Sequence, residues 1–140
     1  MSAELLGNVV ELARKAGYVY VATADGVGMP HITVAGSLGR GGDDEVVIKE
    51  WFCPGTMANL KVNRAVSVAV WDLHCDVGYQ LLGELERIDD LAVADGYAPR
   101  VEGEEAVPQV EKQLVIHVEK VLDFTLAPHC DVSAEAGATL

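Results

Sequence analysis

Residues 18–38 read YVYVATADGVGMPHITVAGSL, and this stretch constrains the fold more than any other. From residue 18 to 24 the side chains alternate Tyr, Val, Tyr, Val, Ala, Thr, Ala, the period of two that lets a strand bury one face. Asp25, Gly26, Val27 and Gly28 supply turn chemistry, and residues 30–38 read as the returning strand. Strands joined by so short a turn pair antiparallel, because a parallel neighbour needs a crossover of about a dozen residues.

The same signals recur along the chain. GRGGDD at 39–44 is a polar, Gly-rich connection before a strand at 45–52, which predicts a second hairpin. No Gly-Lys-Ser/Thr follows it, no helix opens there, and two aspartates would repel a phosphate, so it reads as a turn. Residues 65–71 and 78–88 predict further strands, and 113–124 a long last one in which Leu114, Ile116 and Val118 alternate with His117 and Glu119. Ser2 caps an opening helix with Leu5, Leu6, Val9, Leu12, Ala13 and Ala16 at helical spacing, stopped by Gly17. Thr56 is expected to cap a short helix with Met57, Leu60 and the stem of Lys61 facing inward, ending near Asn63 and Arg64. Asp89 and Asp90 are expected to cap a third helical stretch to Tyr97, stopped by Pro99, with an acidic loop at 101–108. About six hairpin-linked strands without regular crossover helices predict a mainly β (α+β) chain, a six-stranded antiparallel barrel with short flanking helices.

Composition narrows the function. The 140 residues suit one domain over 1–140, and with 50% hydrophobic residues the chain can offset backbone entropy without disulfides. A net charge of −12 with only ten scattered Lys and Arg excludes a nucleic-acid partner. No apolar run reaches the ~20 residues of a membrane span, and no secretory leader is evident, so a soluble cytoplasmic protein is expected. Cys53, Cys75 and Cys130 are odd in number and lack CxxC spacing, which predicts free thiols and neither a disulfide framework nor a zinc ribbon.

The order of an amphipathic helix, YVYVATADGVGMPHITVAGS, EVVIKEWFCPGTMANLKVNRAVSVAVWD and a strand with GYQLLGELERI resembles the pyridoxamine 5′-phosphate oxidase-related family, in particular its small FMN-binding proteins. The carrying motif is Thr56-Met57-Ala58-Asn59-Leu60 with Asn63, followed by the strand that begins at Ala65. The resemblance implies a split-barrel fold, a homodimer, and FMN at the subunit interface. It further implies that Thr33 and Val34 on the second strand, Lys49, Glu50, Trp51 and Phe52 on the third, and Thr56 and Asn59 on the helix line the cofactor. Physics supports the helix: its first N–H groups are unpaired and its dipole favours an anion there. Family members commonly place a Lys or Arg beside the capping Thr, where this chain has Pro54 and Gly55. The charge of the phosphate then falls to Lys49, Lys61 or Arg64.

Other constellations are weaker. His74-Cys75-Asp76-Val77 is repeated as His129-Cys130-Asp131-Val132, which invites a four-ligand metal site, but adjacent His and Cys rarely aim at one ion, so both read as polar loops and no metal is assigned. Cys53, Ser37 and Ser67 are the candidate nucleophiles, each without an evident base, and His31 stands beside the flavin wall as a possible donor. No catalytic residue is identified. The expected function is an FMN-dependent oxidoreductase or electron-transfer protein, served by a small molecule or a reduced nicotinamide. Pyridoxamine phosphate oxidation is not expected, because an Arg-rich site for the substrate phosphate is lacking. The alternative is a non-catalytic binding or sensor module holding haem or a deazaflavin on the same barrel. The Ala, Gly and Ser residues after Pro128 compose a solvated tail that, where ordered, would rest on a partner subunit.

Overall fold

The computed structural model describes residues 2–50, 53–92, 110–128 and 131–134. Helix α1 (Ala3–Ala16) starts and stops at its sequence signals. The Ser2 hydroxyl accepts from Leu5 N at 3.3 Å, and Gly17 ends the helix at φ 85° with its N–H donating to Ala13 O at 2.9 Å. Leu6, Val9 and Ala13 recur at helical spacing and are buried against the sheet.

Seven strands follow: β1 (Val19–Ala24), β2 (Pro30–Ala35), β3 (Leu38–Arg40), β4 (Glu45–Glu50), β5 (Ala65–Asp72), β6 (Val77–Ala92) and β7 (Val110–Asp123), with helix α2 (Pro54–Val62) between β4 and β5. They form one sheet in the order β2-β1-β5-β6-β7-β4-β3, with every pairing antiparallel. β6 meets β5 along its first half only, and β7 meets β4 from Lys112 to His117, so the two halves of the sheet are staggered and curl into a split barrel. Gly83 is where β6 bends. A Cβ there would lie 2.0 Å from His117 O, at a register shift between β6 and β7. Val21, Val46, Ile48, Leu81, Leu114 and Ile116 fill the interior under α1.

Three expected elements change. The strand anticipated at 30–38 breaks after Ala35, because the Glu50 carboxylate accepts from Gly36 N at 2.6 Å and takes that donor out of any ladder; Leu38–Arg40 then restarts as β3 against Val46–Ile48, giving seven strands and not six. No helix starts at Asp89 and Asp90. β6 runs through them to Ala92, because Gln113 Nε2 reaches Asp89 Oδ2 at 3.4 Å, Arg87 Nε reaches the same oxygen at 3.3 Å, and Lys112 Nζ reaches Asp90 Oδ1 at 2.5 Å. The rest of that expected helix, to Tyr97 and Pro99, and the acidic loop at 101–108 lie outside the described residues. Of the tail, residues 131–134 rest on the chain's own β7: Asp123 N donates to Val132 O and Ala134 N to Val121 O, each at 2.9 Å. Among the described residues no helix is long and apolar enough to cross a membrane.

Candidate functional site

Helix α2 lies over the β1–β2 hairpin and is pinned to it by one polar stripe. Thr56 Oγ1 donates to Thr33 Oγ1 at 3.4 Å, Asn59 Nδ2 to Thr23 Oγ1 at 3.1 Å, and Asn63 Nδ2 to Asp25 O at 3.4 Å. Positions 56, 59 and 63 are three and four apart, which places them on one helical face. The hairpin matches this because Thr23 and Thr33 both point inward by the strand period, beside Val21 and Ala35. Asp25 closes the turn, its Oδ1 accepting from Val27 N at 3.0 Å and Met29 N at 2.8 Å, with Gly28 at φ 92°. Thr23 was absent from the sequence-derived set; the Thr/Asn spacing on α2 was the available signal that a polar partner lay across from it.

Thr56 does not cap the helix. Cys53 is the N-cap without a side-chain cap bond, Pro54 opens the first turn, and Thr56 is a fully buried residue inside it. The helix ends at Val62 with Asn63 as C-cap, and Lys61 is exposed. The first intrahelical bond runs from Met57 N to Cys53 O at 3.3 Å, so the N–H groups of Gly55 and Thr56 have no partner among the described residues. The His31 ring packs on this first turn: a Cβ on Gly55 would lie 3.2 Å from His31 Nε2. His31 Nδ1 is sealed from water with no hydrogen-bond partner among the described residues. The Gly55 amide at the helix start, with the imidazole edge of His31 beside it, offers donors of the kind that a phosphate monoester, the anionic end of FMN, accepts.

The remaining expected cofactor residues divide. Val34 is on the outer face of the hairpin, opposite Tyr20, and points away from Thr33. Lys49 lines a groove of about 350 Å³ with Ser37, Gly39, Arg40, Val47 and Gln113. Glu50 faces the other way and ties the end of β4 to Gly36. Trp51 and Phe52 lie outside the described residues.

Elsewhere the candidates are engaged in structure. Ser67 accepts from Gln80 Nε2 at 2.8 Å, and Arg64 donates to Glu86 O at 2.6 Å. Cys53 and Cys75 are exposed free thiols. Residues 74–76 of the first HCDV string form a turn with Asp76 at φ 52°; of the second, Asp131 stands at φ 61°, and His129 and Cys130 lie outside the described residues. Among the described residues no group of three or more His, Cys, Asp or Glu is placed to hold a metal. Asp76 is held below the usual carboxylate range by the N–H of Leu126, the indole N–H of Trp71 and the N–H of Ala127. Asp72 is lowered likewise by the Cys75 thiol and the His74 N–H. Glu86 is raised by the Glu45 carboxylate beside it, whereas Glu45 is lowered by the hydrogen bond from Glu86 and by the Gly42 N–H.

Residues 5–124 match the model of the pyridoxamine 5′-phosphate oxidase family. The chain belongs to that family, whose split-barrel members its fold joins. No curated protein matches the sequence. Among solved structures it is similar to a Clostridium acetobutylicum protein related to general stress protein 26 of the pyridoxinephosphate oxidase family (17% identity, 97% of this chain and 99% of that one, TM-score 0.65). It is also similar to an FMN-binding protein from Syntrophomonas wolfei (23%, 89% and 88%, TM-score 0.62) and to HutZ, the heme storage protein of Vibrio cholerae (11%, 89% and 95%, TM-score 0.52). At these identities the likeness is one of fold.

Proposed function

We propose that this chain is an FMN-binding flavoprotein, an oxidoreductase or electron-transfer protein of the cytoplasm. The observation that carries the reading is the start of α2, where the Gly55 amide, unpaired among the described residues, meets the edge of the His31 ring in a chain of the pyridoxamine 5′-phosphate oxidase family. When bound, FMN would supply the redox chemistry; the chain's part is to bind and orient it. Gly55 would hold the phosphate through its N–H group, Thr56, Thr33 and Asn59 would fix the helix that presents it, and the backbone of Lys49 and Glu50 would border the rest of the cofactor. A small molecule or reduced nicotinamide would be its partner in electron exchange. The free thiols Cys53 and Cys75 favour a reducing compartment.

The working unit of this proposal is a homodimer. Ile32 (65% exposed), Val34 (57%) and Tyr20 (37%) share the outer face of the β1–β2 hairpin. Beside them a groove of about 380 Å³ is floored by small residues, Ala22, Ala24, Ala65 and Ser67 among them. Such an apolar sheet face with low relief suits a second copy of itself related by a two-fold axis.

Absorbance of the purified protein, before and after incubation with FMN, tests the cofactor. The two-banded yellow spectrum of oxidised flavin supports the reading, and colourless protein that takes up no FMN ends it. The fold-likeness to a heme storage protein makes haem the second reading; a Soret band with no flavin bands would install it.

A further inference from the structure

We propose that the small pocket beside the β5–β6 turn receives the alkylated ammonium head of an organic cation. The pocket measures about 190 Å³, is lined by Trp71, Phe124, Thr125 and Leu126, and belongs to elements other than α2 and the β1–β2 hairpin.

The strand register opens the pocket. Trp71 of β5 pairs with Gly78 of β6, and Phe124, just past the end of β7, donates its N–H to Gly78 O at 3.1 Å, so the three residues stand in one row. A Cβ on Gly78 would lie 2.3 Å from Phe124 O and 2.6 Å from Val70 O. Both are backbone atoms, so the middle of the row is closed to any side chain. The two aromatics line the pocket without stacking on each other. A cavity of about 150 Å³ holds a benzene ring, so a compact head group of similar bulk fits here.

Asp76 sets the walls. Its Oδ1 accepts from Trp71 Nε1 and from Leu126 N, each at 2.8 Å, and its Oδ2 accepts from Ala127 N at 3.2 Å. One carboxylate thus fixes the indole and the segment at 125–127 relative to each other. It does so from a left-handed backbone, φ 52°, which a residue other than glycine keeps only where its surroundings hold it.

Charge selects the occupant. The sequence at 71–79 and 121–134 holds four aspartates, Asp72, Asp76, Asp123 and Asp131, and neither Lys nor Arg. Asp72, through the Cys75 thiol, and Asp76, through the Leu126 N–H, are held below the usual carboxylate range and stay charged. An anion is repelled from such a place. A cation gains from the carboxylates and from the aromatic side chains, whose ring faces are negative. A primary ammonium would bring three N–H donors to a lining in which Thr125 is the one side chain able to accept, and an alkylated ammonium brings none. Binding here is recognition only and makes no bond.

The test compares choline with neohexanol, its uncharged carbon isostere, in titrations of the purified full chain that follow the indole N–H resonance of Trp71. Choline shifts that resonance saturably and binds about tenfold more tightly than the alcohol. Leu126→Lys sets a cation at the pocket on a residue that is 75% exposed, so the fold is kept and choline affinity falls by at least about tenfold. Equal affinity for choline and neohexanol, or a Leu126→Lys variant that binds choline as the wild type does, overturns the proposal. A Trp71 resonance that neither compound moves overturns it as well, and each of these results leaves the flavin reading standing.

Discussion

Thr56 and Thr33 join their hydroxyls at 3.4 Å in a buried contact that fastens the first turn of α2 to β2. Removing one partner strands the other without water. Thr56→Val should therefore cost about 1–2 kcal/mol in urea unfolding, and Thr33→Val a similar amount. The double variant, apolar on both sides and equal in shape, should cost clearly less than the sum of the two. Strict additivity would show that the hydroxyls are not coupled.

Gly83 carries a second prediction. A methyl group there meets His117 O at 2.0 Å, a backbone atom that cannot swing aside. Gly83→Ala should lower stability by about 3 kcal/mol or more, or leave the chain insoluble. A variant that melts with the wild type would mean that β6 and β7 do not approach each other in this way.

The turn at Asp76 predicts a pH dependence. Its carboxylate accepts from Leu126 N and Trp71 Nε1, each at 2.8 Å, and these bonds lower its pKa in the folded state. A group so depressed contributes stability that is complete above its unfolded pKa, about 3.9, and is lost as pH falls through the folded value. Thermal melts of the wild type should fall more steeply below about pH 4 than those of Asp76→Asn, which should already melt lower at pH 7. Parallel pH profiles would remove Asp76 from the acid transition.

The outer face of the hairpin tests assembly. Val34→Glu places a charge on a residue that is 57% exposed and outside the core, so the fold should survive. Sedimentation at micromolar concentration should show the wild type as dimer and the variant as monomer. A monomeric wild type would contradict the proposed interface.

Much of the fold was legible because its signals are local. Ser2, Gly17 and the apolar spacing between them define α1, and the alternation around the Asp25–Gly28 turn defines the first hairpin. The misreadings occur where a distant residue decides. Asp89 and Asp90 look like a helix cap until Gln113 and Lys112 arrive from β7 to pair with them, and Gly36 looks like strand until Glu50 takes its N–H. Thr56 was legible as important but not for its reason, since Pro54 sets the first turn and carries Thr56 inside. The contact of His31 with Gly55 spans 24 positions, and no periodicity reports it.

The central claim is that the first turn of α2 receives the phosphate end of FMN. Its most direct test is a titration of the purified apo chain with FMN, followed by quenching of flavin fluorescence. The account predicts saturation at one FMN per chain, with Gly55→Val, whose side chain presses on the His31 ring, abolishing it while the variant still melts cooperatively. Absence of saturable binding to the wild type, or undiminished binding to Gly55→Val, would contradict it.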